Sequence, residues 1–149
     1  PLSPIPRKNW EIDAYPVNEI AEYVQDVSQG DIDVLVEEYY NKYDMILDGC
    51  DPEEFKKHVA VQAGIEIGFE RFLEEKNYQA VVTHFGDLGS LKQLPGLAIQ
   101  RLMEKGYGFG GEGDWKTAAM GIEAVYIDGD TTIRNLQNEL RWNSMYFSK

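Results

Sequence analysis

The chain has 149 residues, 43% of them apolar and 27% charged, with 26 acidic against 14 basic side chains and a formal charge of -12. That length suits one domain burying ~70% of the surface its unfolded form exposes, and the composition is that of a folded globular protein rather than a disordered one. The charge repels polyanions and so counts against nucleic acid and anionic membrane as partners.

Cys50 is the single cysteine, which excludes an intrachain disulfide and a multi-cysteine zinc site. With no signal peptide or long apolar span, a cytoplasmic setting is expected. Residues 1–9, PLSPIPRKN, hold three prolines without an apolar period and read as an irregular arm or leader. A single α/β domain is expected over 10–149.

WEIDAYPV, Trp10 to Val17, alternates apolar and polar side chains like a short strand stopped by Pro16. Val17, Ile20, Ala21, Val24 and Val27 then recur at helical spacing, with Asn18 as candidate cap and Gly30 as candidate stop. A second helix is expected from the cap Asp31, burying Ile32, Leu35, Val36, Tyr39 and Tyr43. The longest helix should start at the cap Asp51 with Pro52 in its first position and acids in its first turn. Its core face is Phe55, Val59, Ile65, Phe69, Phe72 and Leu73, and Gly64 and Gly68 would let another element approach closely.

YQAVVTHF, Tyr78 to Phe85, is a compact apolar run that predicts a buried strand, parallel because helices flank it. LAIQRLMEKG follows as a helix with Leu97, Ala98, Leu102 and Met103 inward and Gly106 as its stop. Tyr107 to Phe109 suit a short strand, Asp114 a helix cap, Ile122 to Asp128 a strand, and TTIRNLQNELRWNSMYF a closing helix. Strands alternating with helices predict a three-layer, open, mostly parallel α/β sheet of Rossmann or flavodoxin-like type, helices on both faces. In such sheets ligands bind at the strand C-terminal ends, where THFGDLG and FGGEGD both fall.

In GYGFGGEGDWK, Gly110, Gly111 and Gly113 permit close backbone approach, and a helix starting at Asp114 would aim N–H groups at the same spot. Phosphate is disfavoured: Glu112 and Asp114 would oppose it, and neither GxGxxG nor GxxxxGK[ST] spacing is met. Glu112 suits a hard-metal ligand or general base; the alternative is a capping or solvated acid. His84, at a strand end, is a candidate ligand or proton donor, or else satisfies a loop carbonyl. His58 is expected at the surface, and Cys50 has no histidine near it in sequence to make it a nucleophile.

From Lys92 to Ala119, KQLPGLAIQRLMEKGYGFGGEGDWKTAA closely resembles L-arabinose isomerase, a family of metal-dependent aldose–ketose isomerases. The resemblance extends back through QDVSQGDIDVLVEEY and GFERFLEE, and forward to IEAVYIDGDTTIRNLQNELRWNSMYF. It implies a hexamer of three-domain subunits, of which this chain resembles the middle domain and the C-terminal strand and helix, joined at residues 120–121. The tail would complete a sheet that otherwise presents an unpaired edge.

Two glutamates and two histidines hold a divalent ion, usually Mn²⁺, in the family, and the glutamates move a proton between C1 and C2 of the open-chain sugar. The resemblance assigns the first glutamate to Glu112 and a sugar-pocket position to Phe85, with L-arabinose and L-ribulose as the sugars. Gly110, Gly111, Gly113 and Asp114 would support the loop. The other three ligands belong to an absent domain, so this chain is expected to bind no metal tightly and to isomerise no pentose. The alternatives are a non-catalytic scaffold or assembly domain of the same ancestry and, ranked last, a flavin or phosphate binder. Apolar surface facing the absent domains would favour a homo-oligomer.

Overall fold

The computed structural model describes residues 11–84 and 88–119. Its elements are α1 (Val17–Gln25), α2 (Gln29–Lys42), α3 (Pro52–Lys76), β1 (Ala80–Thr83), α4 (Gly96–Glu104) and β2 (Gly108–Gly111), and a further helix opens over 115–119. The architecture is thus mixed helix and strand, with β1 and β2 paired in parallel from Ala80↔Gly108 to Thr83↔Gly111. The expected leader, the junction at 120–121 and the strand and helix after it lie outside the described residues.

α3 forms as its sequence dictates. The Asp51 carboxylate accepts from the N–H groups of Glu53 and Glu54, both at 3.0 Å, and Pro52 opens the first turn. Asn77 closes the helix in the left-handed conformation at φ 58°. Of the predicted stripe, Val59, Ile65, Phe69, Phe72 and Leu73 are buried and Phe55 is half-buried, each fully buried large apolar side chain contributing about 1.5–3 kcal/mol. Phe69, Phe72 and Leu73 pack with Ile20 of α1 and Ala98, Ile99 and Leu102 of α4, while Val59 and Ala63 pack with Val36 and Tyr39 of α2. Gly68 is where α1 crosses closest, since a Cβ there would lie 2.7 Å from the Val24 Cα; at Gly64 the nearest atom is a side-chain methyl of Ile32 at 3.5 Å.

Three expectations need correction. Residues 11–16 form no strand. Ile12, inward in the alternation, is exposed, whereas the outward Tyr15 meets Phe72 edge-on at 5.2 Å; alternation specifies a strand only where a neighbouring backbone takes its hydrogen bonds. Second, Ser28 rather than Asp31 caps α2, accepting from the Asp31 N–H at 3.2 Å, and Gly30 stands in the first turn instead of ending α1. The earlier start leaves the Asp31 carboxylate to bind Arg71 of α3 at 2.8 Å. Asn18 is likewise no cap, because its Oδ1 accepts from the Ser90 N–H at 3.2 Å. Third, the strands shift: β1 is shorter than 78–85 and half-buried, and β2 runs on through Gly110 and Gly111, which therefore belong to the strand and not to the turn.

Charge is buried between the helices as well. Glu66 of α3 is 0% exposed and Arg101 of α4 is 5% exposed. Arg101 Nε donates to Glu66 Oε2 at 2.7 Å, Nη2 to Glu38 at 2.5 Å and Nη1 to the Tyr43 hydroxyl at 3.2 Å. Tyr39 donates to the same Glu66 oxygen at 2.5 Å, and Lys105 lies 3.1 Å from the other. Burial acts to lower the Arg101 pKa, but its bonds to Tyr43, Glu38 and Glu66 outweigh that and raise it. This cluster ties α2, α3 and α4 together, and α4 leads directly into β2.

Burial, then the bond to Glu66, raises the Tyr39 hydroxyl above its ordinary range. A group whose folded pKa is raised stabilises the fold below the unfolded pKa, ~10 for tyrosine, and loses that contribution as pH rises further. Urea midpoints are therefore expected to fall between about pH 9 and 11.5, and to fall less steeply in Tyr39→Phe. Equal slopes in the two proteins would contradict this.

Candidate functional site

The two strands stop side by side. In the parallel register Thr83 faces Gly111, so the residue following each strand, His84 and Glu112, comes next to its counterpart. His84 Nε2 lies 3.4 Å from Glu112 Oε2, with the side chains 68% and 58% exposed. The glycines produce this placement in separate ways. At Gly110 a Cβ would lie 2.0 Å from the Asp114 carbonyl oxygen, so only glycine lets the next helix begin against β2. Gly113 adopts φ 80° and Glu112 itself φ 53°. A glutamate held left-handed costs about 1–3 kcal/mol, which the surrounding turn supplies: Gly113 N–H bonds to Thr83 O at 3.4 Å and Asp114 N–H to Gly111 O at 3.0 Å.

Asp114 caps the helix over 115–119, as its sequence position suggests. Its carboxylate accepts from the Thr117 N–H at 3.1 Å and from the Thr117 hydroxyl at 2.6 Å. Those bonds, the hydroxyl's first, lower its pKa and keep it ionised. With both oxygens engaged, Asp114 supports the turn while Glu112 faces solvent and His84.

Phe85, the sugar-contact candidate, lies outside the described residues. His58 is exposed, its Nδ1 2.9 Å from Gln93 Nε2, and Cys50 is exposed. No group of three or more His, Cys, Asp or Glu side chains converges among the described residues. A cavity of about 250 Å³ is lined by Ala80, Val81 and Val82 of β1 together with Phe72, Tyr78, Trp115 and Ala118. Neither Glu112 nor His84 lines it. Among the described residues no helix is long and apolar enough to cross a membrane.

The pairing of His84 with Glu112 was the signal missed in the sequence. Two parallel strands ending in adjacent loops bring together the residues after their ends, and aligning AVVT with GFGG would have predicted this contact.

Comparison with known proteins gives this site its context. Residues 6–128 match the model of the L-arabinose isomerase central domain. The chain is 44% identical over 124 residues to an L-arabinose isomerase of Geobacillus kaustophilus, covering 83% of this chain and 25% of that protein. It is 48% identical over 122 residues to that of Serratia proteamaculans, covering 80% and 24% respectively. L-arabinose isomerase 1 of Clostridium acetobutylicum is 49% identical over 111 residues, 74% of this chain and 23% of that protein. The chain thus spans about a quarter of the length of these relatives. A match across most of its residues establishes its family: the chain belongs to the L-arabinose isomerase central domain.

Proposed function

We propose that this domain contributes Glu112 to a divalent-ion site of an L-arabinose isomerase, a site completed by groups from another domain. The observation that carries this reading is the left-handed glutamate at the C-terminal end of a paired parallel strand, its carboxylate turned outward at φ 53°. A carboxylate with an imidazole beside it is a donor set that fits part of the coordination shell of such an ion. The parent ion is proposed to be Mn²⁺, which when bound would polarise the sugar oxygens. Glu112 would take the proton from C2 of open-chain L-arabinose and return it to C1, while the O2 proton passes to O1, giving L-ribulose.

The second reading is a domain that keeps the fold without the chemistry. It is favoured by the exposure of Glu112, 58%, because a solvated carboxylate competes poorly with the ion's own hydration. In both readings the isolated chain turns over no pentose. The finer architecture, a three-layer sheet, is part of the same proposal. Val34, Ile46 and Trp115, all exposed, offer apolar contacts for a homo-oligomer, and a cytoplasmic setting is part of the same proposal.

Isothermal titration with Mn²⁺ and an arabinose-to-ribulose assay test these points. Weak binding that disappears in Glu112→Gln, with no turnover, is the expected result. Turnover by this chain that vanishes in Glu112→Gln would refute its inactivity, and binding untouched by that substitution would remove Glu112 from the site.

A further inference from the structure

We infer that His58 is a pH-sensitive latch on the chain entering α4: when neutral it holds Gln93 of segment 91–95 against α3, and when protonated it releases it. The inference stands apart from the reading of Glu112 as a ligand.

The latch is a run of three side chains that ends on a backbone group. Gln62 of α3 has its Nε2 2.8 Å from the Leu94 carbonyl oxygen and 2.8 Å from Gln93 Oε1. The other end of the Gln93 amide, Nε2, lies 2.9 Å from His58 Nδ1. A carbonyl oxygen only accepts, so the polarity is fixed from that end. Gln62 must turn its NH₂ toward Leu94, the same NH₂ requires an acceptor from Gln93, and Gln93 is left with only donors to present to the ring. His58 Nδ1 is therefore the unprotonated nitrogen, and the neutral ring carries its proton on Nε2. Gln62 keeps this orientation although its own Oε1 is buried with no hydrogen-bond partner among the described residues.

Protonation puts an N–H on Nδ1, facing the NH₂ of Gln93. Turning the Gln93 amide over would set its NH₂ against that of Gln62, and turning Gln62 as well would set its oxygen against the Leu94 carbonyl. No arrangement of the two amides restores every bond. His58 is exposed and exchanges protons with solvent directly, whereas Gln62 and Gln93 are half-buried. Among the described residues Gln93 is the hydrogen-bond partner of the ring and no ion pair reaches it. The charged groups close to the pair in sequence are Glu54, Lys56 and Lys57 on α3 and Lys92 beside Gln93. The held segment leads straight into α4, which starts at Gly96 and has no side-chain cap. Release would thus loosen the start of α4 in acid, and neutral His58 would fasten it.

The test is proton NMR of the full chain across the histidine range, about pH 8 to 5, following the nuclear Overhauser contact between the His58 ring protons and the Gln93 methylenes. The contact is expected to weaken about two- to tenfold at the acid end, the population change that one ordinary hydrogen bond commands. It should track the ring titration of His58 and not that of His84, the other histidine of the chain. In His58→Gln an amide oxygen can accept from Gln93 without titrating, and the Gln93 signals should stay still over the same range. In Gln62→Met the Gln93 amide is free to turn over, so the contact should survive protonation. A contact that persists in acid in the unaltered chain overturns the latch. So does an equal acid loss in Gln62→Met, or movement of the Gln93 signals in His58→Gln.

Discussion

Replacing Arg101 by leucine is expected to destabilise the chain by about 3–5 kcal/mol, because it leaves the Glu66 carboxylate buried without its main counter-charge. Glu66 has no route to water, at 0% exposure. Its remaining partners would be the Tyr39 hydroxyl and Lys105, and Lys105 gives its own hydrogen bond to Glu70 at 2.6 Å. Removing the whole cluster is a different matter. A buried ion pair replaced by apolar groups of similar volume is often neutral or stabilising, so the triple variant Arg101→Leu, Glu66→Met, Tyr39→Phe should lose less stability than Arg101→Leu alone. Urea denaturation monitored by circular dichroism measures both. A triple variant less stable than the single one would show that the polar contacts contribute net stability, contrary to this account.

The second large effect concerns the crossing of α1 over α3. Gly68→Ala would place a Cβ 2.5 Å from Val24 Cγ2, 2.7 Å from its Cα and 2.8 Å from its N. Two of these are backbone atoms, so no rotamer change relieves the clash and α1 must move. Overpacking of this kind costs about 1–3 kcal/mol, sometimes more, against a helix-propensity gain of at most about 1 kcal/mol. Gly64→Ala, one turn away, is expected to go the other way. Its new methyl would meet Ile32 Cδ1 at 3.5 Å, an ordinary contact, leaving the propensity gain of up to about 1 kcal/mol. Thermal unfolding should therefore show a lowered midpoint for Gly68→Ala and an unchanged or raised one for Gly64→Ala. Equal effects at the two positions would mean that the glycines serve propensity or flexibility rather than close approach.

Both predictions matter to the site through one mechanical path. α1 and α4 pack on α3, α4 passes through Lys105 and Gly106 into β2, and β2 ends at the Glu112 turn. Gly106, at φ 100°, lets the chain leave α4 and enter the strand. A shift in how α4 sits would be transmitted to the strand register, and with it to the distance between His84 and Glu112.

The sequence by itself determined what is settled within a few turns of chain: the Asp51 cap and Pro52 of α3, its apolar stripe, the Gly106 stop, the Asp114 cap and the motif GEGDWK that carries the family. Each depends on residues a few positions apart, and the stripe on the three- and four-residue spacing that a helix brings onto one face whatever the rest of the molecule does. The start of α2 is not fixed locally, because two residues of one turn compete for the cap. Ser28 and Asp31 have the same capping chemistry, and the Asp31 carboxylate went to Arg71, forty residues away. Only the tertiary structure decided that WEIDAYPV forms no strand over 11–16, that Glu66 and Arg101 are buried as a pair, and that His84 stands beside Glu112. Those outcomes depend on strand register and on which helix faces meet, and such contacts join residues 28 or more positions apart that no local period relates.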